Sequence, residues 1–457
     1  MQSLNRTLLR TVMAAALGGS LLGFDTAVIA GATFSLTSYF HLSPAMLGVT
    51  VSAALWGTIA GAMTGGILGK RFGGRTSLFF LASCYLASAL GCALSPSLVS
   101  LMLFRVIGGI GMGGSSVVAP VYIAEVAPPA WRGRLVGAFQ INIICGILLA
   151  YLSNFVVGMF AFGLNEWRWQ LGVAAAPAAL FMFALLGIPE SARWLAVKGR
   201  LAEARDALTK LGFTGDKELR DILNSVEQRP SSKSDRLFQL AYLRPIVLAL
   251  ALAAFNQLIG INAVLYYLND IFAMAGFGRQ SQNGQAVVVG VVMLVATMAA
   301  LSLIDRFGRR VLLLMGSVGL AICLSGIAYI FSSHSHESLL LPLVLGYIAC
   351  FAFSQGAVIW VYLSEIFPTS VREQGQSLGC STHWVMNALV SFLFPVVAAY
   401  SRTGPFIGFL LIVVAQFVAV LLFFPETKAV PLDSAGLRVE TGGRTDATMP
   451  STAATRR

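Results

Sequence analysis

The sequence predicts an all-α membrane protein of twelve transmembrane helices, arranged as two parallel six-helix halves. Three observations carry that prediction. Hydrophobic residues make up 57% of the chain and charged residues 11%, against roughly a quarter charged in an ordinary soluble domain. Runs of about 20 mostly apolar residues, the length that crosses a ~30 Å hydrocarbon core, recur twelve times. The loops between these runs repeat halfway along the chain.

The runs begin near Thr11, Ala45, Ser77, Leu98, Val136, Gln170, Pro245, Gln285, Val311, Leu339, Gln376 and Pro405. They are long and Gly/Ala-rich rather than short and alternating, so helices are expected in place of a β-barrel. Arg6 and Arg10 ahead of "MAAALGG" resemble a secretory signal, but the run is too long and contains Asp25, so it reads as a retained first span. The organisation expected is a six-helix bundle over 1–189, linker helices over 190–244, a second bundle over 245–430 and a disordered tail over 431–457. In the linker, "LAEARDALTKLG" has helical spacing with opposite charges, which suits short helices packing beneath the bundle. The tail is rich in Gly, Thr, Ser and Arg, too polar to build a core.

Charge sets the orientation. With both termini in the cytoplasm, the 31 Lys and Arg residues fall on the cytoplasmic side except Arg168, Arg279 and Arg402, and Arg105, which lies inside a span. The +11 net charge therefore reports topology beside an anionic leaflet, and no nucleic-acid partner is expected from it. The six cysteines, Cys84, Cys92, Cys145, Cys323, Cys350 and Cys380, all lie within expected spans, with no CxxC pair or Cys/His cluster. They read as small apolar residues, and no metal or cofactor is expected.

The internal repeat is explicit. "KRFGGR" at 70–75 returns as "DRFGRR" at 305–310, "YIAEVAPPAWRGR" returns as "YLSEIFPTSVREQ", and "PES" at 189–191 returns as "PET" at 425–427. Six spans per repeat is an even number, so the halves are parallel. Within the repeated loops, Glu125 and Arg132 bracket a Pro-Pro break, with Glu365 and Arg372 as their counterparts. Acid and arginine at neighbouring helix ends can latch one conformation of a bundle, or can be an inert salt bridge.

The ordered set "GKRFGGR", "FRVIGGIGMGG", "YIAEVAPPAWRGR", "PESARWL", "NQLIGINAVLYY", "DRFGRR", "YLSEIFPTSVRE" and "PETK" resembles the sugar porter family of the major facilitator superfamily, nearly to Lys428. It is most like the bacterial sugar–proton symporters. The resemblance implies alternating access, with two halves rocking about a central sugar site. The chain departs from the family at Lys70, where Asp or Asn is usual, and at Gly74, where the first Arg of a pair is usual. The first-half latch is accordingly expected to be weaker than its counterpart of Asp305, Arg309 and Arg310.

Asp25 is the sole charge between Thr11 and Phe40. A mid-membrane charge costs at least ~2.5 kcal/mol, which makes it a functional candidate. It sits ~21 Å above Thr11 at 1.5 Å per residue, leaving ~9 Å of core, while Arg105 lies ~10 Å below the opposite end of span 4. The two are expected to meet. Desolvation and an approaching guanidinium push a carboxyl in opposite directions, so a moving bundle could load and unload a proton there; a static ion pair is the alternative. The resemblance favours Asp25 as proton carrier tuned by Arg105.

A sugar needs amides that donate and accept, and aromatic faces. Span 7 supplies Asn256, Gln257 and Asn262, with Gly260 between them suggesting a helix break of the kind found at transporter sites. Bonding between helices is the alternative role. The resemblance carries all three to the sugar site, Asn256 standing in place of Gln. It adds Gln140, Trp360, Asn387 and Trp384 beside it, with Ala357 replacing the usual Pro. Met293 and His383 fall where relatives contact sugar through Asn or Gln. Tyr266 and Tyr267 are expected either to gate the site from outside or to act as interface aromatics.

The expectation is a bacterial inner-membrane, monomeric, proton-coupled monosaccharide importer for a hexose or pentose. The rivals are an uncoupled uniporter and a polyol or inositol symporter. A sugar receptor would need a longer signalling tail. A drug antiporter suits the amide cluster poorly. No nucleophile–base pair, metal cluster or phosphate loop points to an enzyme.

Overall fold

The computed structural model describes residues 5–129, 131–160, 162–213, 215–227, 237–368 and 371–427. The side chains of 301–306, and so of Asp305, lie outside the description, as does the tail from 428. Among the described residues, twelve helices are long and apolar enough to cross a membrane: Arg6–Phe40, Pro44–Phe72, Gly74–Leu94, Leu98–Val126, Arg132–Met159, Gly163–Leu186, Leu243–Tyr266, Arg279–Ala300, Arg309–Ser333, Glu337–Glu365, Gln374–Tyr400 and Gly404–Phe423. They are spans 1 to 12 below. The chain is a multi-pass membrane protein. With an even number of spans both ends of the set share one face, called here the terminal face, opposite a distal face.

Local chemistry explains the boundaries. Ser43 accepts from Met46 N at 3.3 Å ahead of Pro44, and Ser97 and Ser100 form a capping box at the start of span 4, satisfying donors that a helix leaves open. Spans 2 and 4 approach so closely that a Cβ on Gly109 or Gly113 would run into the backbone of Ala54 or Thr58. The "GGIGMGG" run permits backbone contact where lipid supplies no hydrophobic drive between helices.

Three spans are not continuous. Span 7 breaks at Gly260, whose φ of +92° and lack of a Cβ against the Phe409 ring both demand glycine, as the sequence suggested. Span 10 breaks at Ser354, three residues before Ala357. Span 6 opens with a 3₁₀ turn, Gly163–Asn165, before Glu166–Gly172 and Ala175–Leu186.

The repeat is structural as well as textual. In each half a glycine at φ +90°, Gly73 or Gly308, makes the turn into the next span. Glu190 Oε1 and Oε2 then accept from Arg75 N and Thr76 N at 3.0 and 3.3 Å, and Glu426 accepts from Arg309 N and Arg310 N at 2.9 and 3.0 Å. Each carboxylate caps the positive end of a helix. Tyr122 donates to Pro189 O and Tyr362 to Pro425 O, so the "PES" and "PET" loops are tied to the two repeated signatures in the same way.

Between the halves, helices Ala192–Val197, Leu201–Lys210 and Gly215–Glu227 pack around Ala192, Leu195, Ala204 and Leu208. Trp194 Nε1 donates to Lys70 O at 3.0 Å, fastening them to the terminal face. The halves meet through spans 2 and 11, and 5 and 8. The close approaches between them, Gly48 to Phe392 and Gly290 to Leu148 and Tyr151, fall in the distal half of the bundle.

Candidate transport site

Two groups of polar side chains lie within the spans. In the first half, Arg105 Nη1 donates to Asp25 Oδ1 at 3.0 Å, the side chains being 4% and 16% exposed. The depth comparison placed them together, and they are. Small cavities flank the pair. One is lined by Phe24, Tyr85, Ser88, Cys92 and Leu171, the other by Thr26, Ile29, Leu55, Met112 and Tyr266, each with room for about one water. Burying both charges costs several kcal/mol that attraction at contact roughly offsets, so the pair is poised rather than strongly stabilising.

In the second half the broken span 7 turns its amides inward. Gln257 Nε2 donates to Asn256 Oδ1 at 3.0 Å and lies 3.2–3.3 Å from the ring nitrogens of His383. Asn262 Nδ2 donates to Gln257 Oε1 at 2.8 Å, and Asn256 Nδ2 reaches Gln355 O at 3.4 Å. His383 packs against Trp360 at 5.1 Å and edge-on to Trp384 at 5.3 Å. Asn387 Nδ2 donates to Tyr266 Oη at 3.2 Å while Ser391 Oγ donates to Asn387 Oδ1 at 3.2 Å. Spans 7, 10 and 11 thus bring Asn256, Gln257, Asn262, Trp360, His383, Trp384 and Asn387 into one cluster of amides and aromatic faces. Such a surface suits a polar ligand with apolar edges.

Not every candidate joins it. Gln140 is half-buried on span 5 and makes no hydrogen bond among the described residues; its neighbour Asn142 instead accepts from Ser20 Oγ at 2.9 Å. Met293 is buried in the apolar core, because a thioether packs with Leu and Val as readily as it faces a ligand. Tyr267 donates to Ser391 O at 2.9 Å and stacks on Phe394 at 5.1 Å.

The repeated loops pair differently from the sequence expectation. Glu125 and Arg132 are not joined. Both are exposed, because the break at Pro128 and Pro129 sends Arg132 into the next span, and Glu125 lies near Ser191 and Arg193 instead. Glu365 pairs with Arg309, at 3.0 and 3.2 Å, and accepts from Thr427 Oγ1 at 2.6 Å, while Arg372 Nε reaches Phe367 O at 3.4 Å. In the first half the place of Arg309 is taken by Gly74, so Glu125 has no counterpart arginine there.

Three features escaped the sequence reading. Arg279 Nη2 pairs with the buried Glu166 at 3.0 Å and its guanidinium lies 4.7 Å over the Phe34 ring, joining the halves at the distal face. Asp270, just past the end of span 7, is held against the Thr33 hydroxyl of span 1, and burial raises its carboxyl from 3.8 to about 7. Gln355 is fully buried at the break in span 10. Only the presence of Glu166 and Asp270 near apolar runs hinted at the first two; nothing in the sequence paired Glu166 with Arg279 across more than 100 residues.

Comparison with known proteins places this geometry. The family model described as sugar (and other) transporter matches residues 11–436. An arabinose-proton symporter of Bacillus subtilis is 36% identical over 424 residues, 91% of each chain. A glucose facilitated diffusion protein of Zymomonas mobilis is 33% identical over 453 residues, 93% of this chain and 96% of that one. Among solved structures, a xylose transporter from E. coli in a partially occluded inward open conformation matches with a TM-score of 0.83 and 31% identity, covering 93% of this chain and all of the other.

Proposed function

The chain belongs to the sugar (and other) transporter family, is a transporter rather than an enzyme, and from that premise we propose that it imports a monosaccharide together with protons by alternating access. The observation that carries the reading is the Asp25–Arg105 pair, a carboxylate held at 3.0 Å from a guanidinium and placed beside an amide and aromatic cluster in the opposite half.

In this reading the halves 1–189 and 245–430 rock about the cluster, with the linker on the cytoplasmic side. The excess of Lys and Arg on the terminal face supports that face, and both termini, lying in the cytoplasm of a bacterial inner membrane. A proton reaches Asp25 from outside while Arg105 is drawn off. The sugar bonds the amides of Asn256, Gln257, Asn262 and Asn387, stacks on Trp360 and Trp384, and meets Gln140 when span 5 closes on it. His383 orients Gln257, and Met293 borders the site. Tyr266 and Tyr267 close it from outside. Glu365 with Arg309 holds the cytoplasmic ends in this conformation; Glu125, Arg132 and Arg372 flank the same surface and are proposed to latch when the bundle moves, and Asp305 belongs with them by its loop. The similarity of TM-score 0.83 to an inward open structure supports a resting form closed at the distal face. The protein is proposed to work as a monomer.

The test is uptake of labelled hexoses, pentoses and inositol into de-energised vesicles, with and without an inward proton gradient. Accumulation above the outside concentration only with the gradient supports symport, and Asp25→Asn then loses accumulation while keeping sugar exchange. Equilibration that ignores the gradient sinks the proton role and leaves Asp25 a structural partner of Arg105.

A further inference from the structure

Proton site and sugar site lie in different halves, and one side chain spans the seam between them. Tyr266, at the end of span 7, is buried. Its Oη accepts from Asn387 Nδ2 at 3.2 Å. On its other side it shares a water-sized cavity with Thr26, the residue next to Asp25 on span 1. The Thr26 hydroxyl proton is committed to Leu22 O at 2.8 Å, which leaves its oxygen as an acceptor. The phenol thus meets both halves, Asn387 by a hydrogen bond and span 1 across the cavity.

The same phenol forms a wall of the cavity that contains Asp25 and Arg105. Tyr267 has no such role, since its hydroxyl stays within its own half on Ser391 O.

We propose that Tyr266 is the positioning residue that couples the two sites, transmitting the state of the Asp25–Arg105 pair to the Asn387 amide across the cavity it shares with Thr26. The inference rests on the proton-coupled reading given above. When Asp25 is neutral its hold on Arg105 weakens and the water-sized cavity beside the phenol changes shape. The phenol and the Asn387 amide are then free to turn toward a ligand. With Asp25 ionised and paired, the phenol is drawn to span 1, and Asn387 is held on it. Sugar binding and protonation then favour the same arrangement, which is what coupling requires.

The experiment uses the full-length protein in proteoliposomes, loaded with whichever sugar the uptake panel identifies. Two rates are read: sugar counterflow without a gradient, and the accumulation ratio under an inward proton gradient. Tyr266→Phe removes the hydroxyl and keeps the ring. Tyr266 also closes the site from outside, so counterflow is expected to fall as well, but the accumulation ratio is expected to fall about tenfold further, within the usual range for linked sites, and to drop toward one. Thr26→Val should show the same split, and serves alone if Tyr266→Phe does not fold. Tyr347→Phe, which deletes an equally buried hydroxyl bonded to Ile259 O at 2.8 Å, should leave the accumulation ratio at the wild-type value. Accumulation by Tyr266→Phe equal to wild type overturns the inference, as does an equal fractional loss of counterflow and accumulation. A wild-type protein that ignores the gradient overturns the proton coupling itself, and this inference with it.

Discussion

Arg279 and Glu166 are paired at 3.0 Å across the seam between the halves. Glu166 is buried at the start of span 6 and also accepts from Gln170 Nε2 at 3.0 Å, while Arg279 begins span 8 and remains partly open to solvent. The pair therefore lies on the closing surface of the distal face, where it stabilises the distally closed form and contributes nothing once the halves part.

Glu166→Gln keeps the shape and the contact with Gln170 but removes the charge. Because Arg279 is nearly half exposed, screening limits the loss to about 1 kcal/mol. That is roughly a fivefold shift of the equilibrium toward the distally open form. Spin labels at the distal ends of spans 5 and 8 report it as an added long-distance population. An unchanged distance distribution would show that the pair is idle.

The two members of the Asp25–Arg105 pair are not equivalent on removal. Arg105→Leu strands a carboxylate among apolar neighbours and should cost roughly 3–5 kcal/mol. The thermal unfolding midpoint in detergent should therefore drop steeply. The double variant Asp25→Asn with Arg105→Leu leaves no charge and should recover most of the loss. Equal midpoints for the single and double variants would count against a mutually compensated pair.

Span 7 depends on one glycine. Alanine at 260 meets a left-handed backbone at φ +92° and the Phe409 ring together, a combined penalty of roughly 2–4 kcal/mol. Gly260→Ala should straighten the break, displace Asn256 and Gln257 from Asn262, and lower sugar affinity more than it lowers protein abundance. Normal affinity in a well-expressed variant would mean the break does not shape the site.

The asymmetry between the repeated loops also makes a prediction. Glu365 is bidentate to Arg309 and takes a third bond from Thr427, so Glu365→Gln should cost about 1.5–3 kcal/mol. Glu125, exposed and opposite Gly74, should tolerate Gln within about 0.5 kcal/mol. Comparing the two thermal midpoints checks this, and equal losses would contradict the geometry.

Much of this was legible in the sequence because it depends on composition and repetition. Twelve spans, the break at Gly260 and the meeting of Asp25 with Arg105 follow from hydropathy, helix rise and the cost of a lone charge in lipid. What depends on which face of one helix meets which face of another was not legible. Glu125 and Arg132 are neighbours in the chain, and the sequence suggested a pair. The Pro-Pro break separates them, and Glu125 lies near Ser191 at the start of the linker instead. Glu365 likewise prefers Arg309, more than 50 residues away, to Arg372 at seven. The amides of span 7 lie together with His383 as neighbours, yet the bond from Asn387 to Tyr266 needs spans 7 and 11 placed side by side.

Asp270 gives the distal seam a dependence on pH. Thr33 lies 22 residues beyond Thr11, ~33 Å along the helix and past a ~30 Å core, so Asp270 beside it is at the distal surface rather than within the membrane. Burial raises its carboxyl from the ordinary 3.8 to about 7, partly offset by the Thr33 hydroxyl and its own backbone; Tyr267 is the titratable neighbour that feels its charge. The closed seam thus holds a proton that an open, hydrated Asp270 would release. A raised carboxyl contributes most below 3.8, and that contribution is lost as the distal pH rises through about 7. Raising the pH on the distal side should therefore open the seam, with the change running from 3.8 to about 7. Asp270→Asn should stay closed across that range. Spin-label distances measured in both proteins as the pH is stepped decide it: a wild-type response that survives in Asp270→Asn assigns the dependence to another group.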